Sequence, residues 1–155
     1  MTTKKSCLSI IFISENSCLG NIVKSVTGSQ WSHVGIIALG GIVEAVPPKV
    51  IISPQNRYDE CKTEQIDFYV PDITATTEEL KKLIGTPYGW LECIKGGLKD
   101  LASITFSMSA NEKNVNCCEL VVRTIRSGGG EIDSAIPDDC FTPQSLYTAI
   151  KMSVI

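Results

Sequence analysis

A chain of 155 residues without a composition break predicts a single domain over residues 1–155 that is large enough to bury a core. Charged residues at 20% and apolar residues at 43% exclude disordered, collagen-like and coiled-coil classes. Fourteen Lys and Arg against seventeen Asp and Glu leave a net charge of −3, and no basic run exceeds Lys4-Lys5 or Lys81-Lys82, so no nucleic-acid partner is expected.

Met1 to Ile13 begins weakly basic, but its apolar run is short, is broken by Ser9, and is followed by Ser14-Glu15-Asn16 with no small-residue cleavage site. No later stretch is long enough to cross a bilayer. The expectation is a cytoplasmic protein without stable membrane insertion. Seven cysteines of irregular spacing point to reduced thiols rather than a disulfide framework. A lone histidine and the lack of a C-x-x-C pair give no zinc pattern, and no cofactor is expected.

In chain order, Leu8–Ile13 reads as a strand and Cys18–Val26 as a short helix or turn ending at Gly28. Ser32–Leu39, Gly40-Gly41 and Ile42–Val46 make a hairpin that Pro47-Pro48 stops. Val50–Ile52 and Gln65–Val70 are further strands. Thr76-Thr77-Glu78-Glu79 has the capping-box pattern, predicting a helix over Glu78–Ile84 that Gly85 ends. Trp90–Leu101 predicts another helix, weakened by Gly96-Gly97, and Ser103–Asn114 a polar loop that could cover a site. Cys117–Arg126 is a helix closed by Ser127-Gly128-Gly129-Gly130. Pro137–Ile150 reads as a loop with a short terminal helix, in which Asp138–Pro143 only seats the last turn. Strands followed by helices make the class α+β.

His33 starts a strand whose alternation places His33, Gly35 and Ile37 on one face. Alone, it reads as a half-buried histidine with one hydrogen bond. Asn116 is a good N-cap residue with Glu119 three positions on, so the two can cap reciprocally and Cys117 takes the first helical position. Helix-start amides favour an anion, and a thiolate beside an imidazolium is favoured further. Cys117 is therefore the nucleophile candidate. Cys118 shares a stripe with Val121, Val122 and Ile125 that should face the core, about 100° around the helix from Cys117.

Glu44 is the candidate third member, but strand arithmetic alone does not bring it to His33. A two-residue Gly40-Gly41 loop pairs Ile37 with Glu44 and leaves His33 four residues along, about 13 Å away at about 3.3 Å per residue. A longer loop, a bulge or a register shift is needed to close that gap.

The segments Ser32-His33-Val34-Gly35-Ile36, Val43-Glu44-Ala45, Gly85-Thr86-Pro87-Tyr88, Cys117-Cys118-Glu119-Leu120-Val121 and Thr142-Pro143-Gln144-Ser145-Leu146 occur in that order. Together they resemble the circularly permuted papain-like hydrolases, the YiiX-like branch of the NlpC-type peptidase and amidase superfamily. The likeness runs from about residue 8 to about residue 147. It implies a central antiparallel sheet with helices packed on it and the nucleophile at a helix N-terminus. It also implies Cys117 as nucleophile, His33 as general base and then acid, Glu44 as the group that orients the imidazole, and Tyr88 beside the site. Cys118 stands where that family usually has serine. Trp31 and Tyr88 are candidates for an apolar substrate-binding wall.

The function so implied is cysteine-dependent hydrolysis of an amide through a thioester. A small peptide, a cell-wall fragment or a lipid-linked amide would be the substrate. Two alternatives stand beside it. One is an acyltransferase similar to lecithin:retinol acyltransferase, which a water-excluding apolar pocket would favour. The other is a binding module with a degenerate site.

Overall fold

The computed structural model describes residues 6–89 and 114–154. Strands β1 (Cys7–Ser14), β2 (His33–Ala38), β3 (Gly41–Val46), β4 (Lys49–Ser53) and β5 (Lys62–Tyr69) form one five-stranded antiparallel sheet in the order β4-β3-β2-β1-β5. Helices α1 (Cys18–Thr27), α2 (Ile73–Leu83), α3 (Cys117–Ser127) and α4 (Pro143–Ser153) complete an α+β arrangement. The helix expected over Trp90–Leu101 and all but the last residue of the 103–114 loop lie outside the described residues.

Alternation along the strands divides the sheet into two faces. Ile10 and Phe12 of β1, Val34 and Ile36 of β2 and Val43 of β3 meet Leu80 of α2 and Leu120 and Ile125 of α3 in the main core. The opposite face carries a smaller cluster of Ile13, Ile42 and Tyr58. Helix α3 packs on β2 and β3, and α2 packs on α3. The chain before α3 is tied to the β4 edge: Val115 N–H donates to Pro87 O at 3.0 Å, and Lys49 bridges to Pro87. These ties carry the N-terminus of α3 to the sheet.

Helix α2 begins five residues before the expected Glu78, so Thr76 is not its cap. Asp72 takes that role, its Oδ1 accepting from Ala75 N–H at 2.9 Å. Thr76 lies inside the first turn and donates its hydroxyl to Asp72 O at 2.9 Å, the back-bonding typical of a helical threonine. Glu79 pairs with Arg123 of α3 at 3.2 Å instead of reaching back. The C-terminal helix is also longer than expected. Thr142 and Ser145 form a capping box, Pro143 opens the helix, and Leu146 and Ile150 are buried one turn apart.

The hairpin between β2 and β3 differs from expectation by one residue, and the difference matters. Ala38 pairs with Gly41 and Ile37 with Ile42, so the loop is Leu39-Gly40 rather than Gly40-Gly41. Leu39 and Gly40 have φ of 53° and 80°, the positive values that a primed two-residue turn demands. Leucine is a poor residue there, yet Gly41 is committed elsewhere. A Cβ at Gly41 would fall 2.8 Å from Ile52 Cγ2 and against the Ser53 carbonyl, so β4 approaches closely only because that position has no side chain.

Candidate active site

Continuing the hairpin register one step past Ile36–Val43 sets Glu44 opposite Gly35, not Ile37. The carboxylate therefore starts two residues from His33, a diagonal that a long side chain spans. Gly35 leaves that path open: a Cβ there would lie 2.9 Å from Ile42 Cγ2 and 3.4 Å from Glu44 Cβ. Glu44 Oε2 accepts from His33 Nε2 at 2.6 Å. The register shift thus closes the gap that strand arithmetic left open.

Cys117 lies at the head of α3, after the N-cap Asn116, whose Oδ1 accepts from Glu119 N–H at 2.8 Å. The Glu119 carboxylate faces Arg123 at 3.7 Å. The Cys117 side chain is hydrogen-bonded to His33. The three residues suggested by the sequence therefore form one chain of contacts, from sulfur to imidazole to carboxylate. With Nε2 given to Glu44, Nδ1 is the ring nitrogen left for the sulfur.

Tyr58, which no sequence pattern singled out, is part of this network. It ends a short 3-10 turn, Gln55–Tyr58, and donates its hydroxyl to Glu44 Oε2 at 2.6 Å. Arg57 Nε stands 3.4 Å from Glu44 Oε1, and its guanidinium lies over the Tyr58 ring. Glu44 itself is fully buried. Neither residue belongs to a motif; only the β3–β4 pairing and the turn after β4 bring them to the carboxylate.

The shifts follow from this geometry. Burial alone would push the His33 imidazole down, but its hydrogen bonds to Cys117 and Glu44 and the charges of both raise it from 6.5 to about 10. Burial would raise the Glu44 carboxyl, yet His33 first, then Ser53 and Tyr58, lower it from 4.5 to about 2. The Tyr58 phenol is pushed far above its usual value by burial and by the neighbouring carboxylate.

These opposite shifts set a pH window for stability. Glu44 binds its proton less tightly in the folded chain, so its contribution is complete above pH 4.5 and is lost as pH falls toward about 2. His33 binds its proton more tightly when folded, so its contribution is complete below pH 6.5 and is lost as pH rises toward about 10. The pair is expected to contribute most between about pH 4.5 and 6.5. Urea midpoints measured across pH should peak there, and the acid limb should flatten in Glu44→Gln.

A cavity of about 590 Å³, lined mainly by apolar side chains, opens on Cys117, His33 and Tyr88. Tyr88 is held by its N–H bond to Pro48 O at 2.9 Å and by a bridge to Val115. Trp31 does not line this cavity and is corrected from the substrate-binding set. It precedes β2, so the strand's alternation does not reach it, and its indole turns into the main core against Phe12 and Tyr147. Phe141, Thr142 and Pro143 do line it, so the segment expected only to seat the last turn forms part of the wall. Cys118 belongs to the core as expected but also reaches the cavity, so burial does not separate it from Cys117.

Among the described residues, no three His, Cys, Asp or Glu side chains converge as a metal site would require. No helix among them is long and apolar enough to cross a membrane. No protein-family model matches the chain, and no curated protein matches it.

Proposed function

We propose that the chain is a cysteine-dependent acyl hydrolase with a circularly permuted papain-like arrangement, in which histidine and acid precede the nucleophile in sequence. The observation that carries this reading is the buried Cys117–His33–Glu44 contact chain at the head of a helix and at the wall of a cavity. Each part has a role. Glu44, held by Tyr58, orients the imidazole through Nε2 and stabilises its charge. His33 Nδ1 takes the Cys117 proton, and the thiolate attacks an amide or ester carbonyl carbon. First-turn amides of α3 lie where an oxyanion would be stabilised by the helix N-terminus.

Imidazolium then gives its proton to the departing amine as the C–N bond breaks, leaving a thioester on Cys117. Water attacks the thioester carbonyl, His33 takes the water proton, the C–S bond breaks, and the carboxylic acid leaves with the thiolate–imidazolium pair restored. The apolar cavity also favours a second reading, in which an amine or alcohol acceptor replaces water in this last step. Intact-mass analysis after incubation with a library of acyl amides and acyl esters tests both. A covalent adduct of acyl mass mapping to Cys117 is expected, and its decay with and without added acceptor distinguishes hydrolysis from transfer. No adduct from any member of the library would overturn the reading.

A further inference from the structure

The cavity beside Cys117 has the volume of a small-molecule site. Several of its polar side chains are already engaged within the protein. Ser32 Oγ accepts from Glu15 N–H at 2.8 Å and donates to Ile13 O at 3.2 Å. Thr27 donates to Val23 O at 2.7 Å, Asn116 caps α3, and Thr142 is held in its capping box. Pro47 and Pro143 in the wall have no N–H to offer a peptide backbone. Much of what a ligand meets there is carbon.

Helix α1 supplies a second, independent observation. It is well formed, capped by Ser17 and closed by Gly28 at φ 63°. Yet Ile22 is 54% exposed, and Val23 and Val26 are only partly buried. These three residues line the cavity and contribute nothing to the buried core. An apolar helix face continuous with a nucleophile is the wall expected for an apolar substrate group.

We propose that the acyl group delivered to Cys117 is a fatty acyl chain, its carbonyl at the sulfur and its methylenes against Ile22, Val23 and Val26 of α1. This rests on Cys117 being the nucleophile and names the substrate class that the site takes. Glu15, His33 and Arg57 are the charged side chains in this wall, and the aliphatic face of α1 suits a chain that needs no hydrogen bonds.

The test uses the full chain with p-nitrophenyl butanoate, octanoate and N-acetylphenylalaninate, each below its micelle concentration. In the acylation step the sulfur–carbonyl bond forms, the aryl ester C–O bond breaks, and p-nitrophenolate departs with the bonding electrons. Each methylene removed from water contributes about fourfold, so octanoate should acylate Cys117 at least about tenfold faster than butanoate, and up to about two hundredfold faster if all four added methylenes are buried. Val26→Asp should lower the octanoate rate far more than the butanoate rate, collapsing the ratio toward one. A chemistry-independent measurement accompanies it: a fluorescent fatty acid should bind Cys117→Ala saturably and be displaced by octanoate. Fast acylation with no chain-length preference, a phenylalanyl ester equal to octanoate, or no fatty-acid binding would overturn the acyl-chain assignment while leaving Cys117 as nucleophile. Failure of every ester to acylate Cys117 would overturn both.

Discussion

Cys117→Ala is expected to abolish turnover, by about 10³-fold or more, and to remove the fast-reacting thiol, whereas Cys118→Ala keeps both. The two sulfurs are neighbours in sequence, are 4% and 2% exposed, and both reach the cavity, so neither burial nor position on the wall distinguishes them. Partnership does. Cys117 is hydrogen-bonded to an imidazole whose proton is favoured by the sulfur and by Glu44 together, and a thiolate paired with imidazolium is the form that attacks electrophiles. Cys118, one step around the helix, packs among the residues of the main core. The measurement is brief exposure to substoichiometric iodoacetamide at neutral pH, followed by peptide mapping. Exposed Cys7 provides the internal reference for an ordinary surface thiol. Equal labelling of the Cys117 peptide and the Cys7 peptide in the wild-type chain would sink the assignment of an activated nucleophile.

Glu44 carries the second large effect, and two substitutions separate its structural and chemical parts. Glu44→Ala removes a fully buried carboxylate and leaves the His33 imidazolium and the Tyr58 hydroxyl without their acceptor. Breaking a buried charged pair in this way costs about 3–5 kcal/mol, a large share of the stability of a domain this size. Glu44→Gln is the milder test. Its one carbonyl oxygen can serve His33 and Tyr58, but its NH₂ then faces Arg57 Nε, donor against donor, where Oε1 lay 3.4 Å away. Folding should survive while turnover falls by about 10²–10⁴-fold, because the amide orients the imidazole without stabilising its charge. What Cys117 contributes to raising the His33 imidazole stays while the Glu44 charge is lost, so the pH at which His33 loses its proton should move down. A less stabilised imidazolium favours the thiolate less, so the rise of the Cys117 alkylation rate with pH should move to higher pH. A wild-type alkylation profile in Glu44→Gln would mean that the carboxylate acts only in folding.

Tyr58 has a narrower part in the same network. Its hydroxyl and His33 Nε2 share one carboxylate oxygen, each at 2.6 Å, so the phenol fixes the rotamer that presents that oxygen to the imidazole. Nothing in its own neighbourhood of sequence announces this. Gln55-Asn56-Arg57-Tyr58 looks like an ordinary polar turn, and its value depends on where β4 ends relative to β3.

Much of the local structure was legible because it depends on residues close together in the chain. The alternation of Leu8–Ile13, the Asn116 cap that sets Cys117 at the head of α3, and the glycine that stops α1 are all local decisions. The start of α2 departs from the sequence expectation for an equally local reason. Thr76 and Glu79 offered a capping pattern, but Asp72, just after Pro71, captured Ala75 N–H first and the helix grew from there. Trp31 qualifies for the substrate-binding wall only by its aromatic character, and packing against Phe12 and Tyr147 takes it into the main core instead.

By itself, the sequence determined the strands, the polarity of the α3 cap, and the presence of a thiol and an imidazole with the right local settings. The tertiary structure decided whether they meet an acid. Two adjacent glycines allow the hairpin to turn at either of two places, and local preference puts both of them in the turn. Close packing of β4 against Gly41 forces the turn back to Leu39-Gly40 and thereby moves Glu44 two residues nearer to His33. That choice is made by contact between strands and against local propensity, because a one-residue change in a turn alters every cross-strand neighbour while the cost of Leu39 at positive φ falls on one residue.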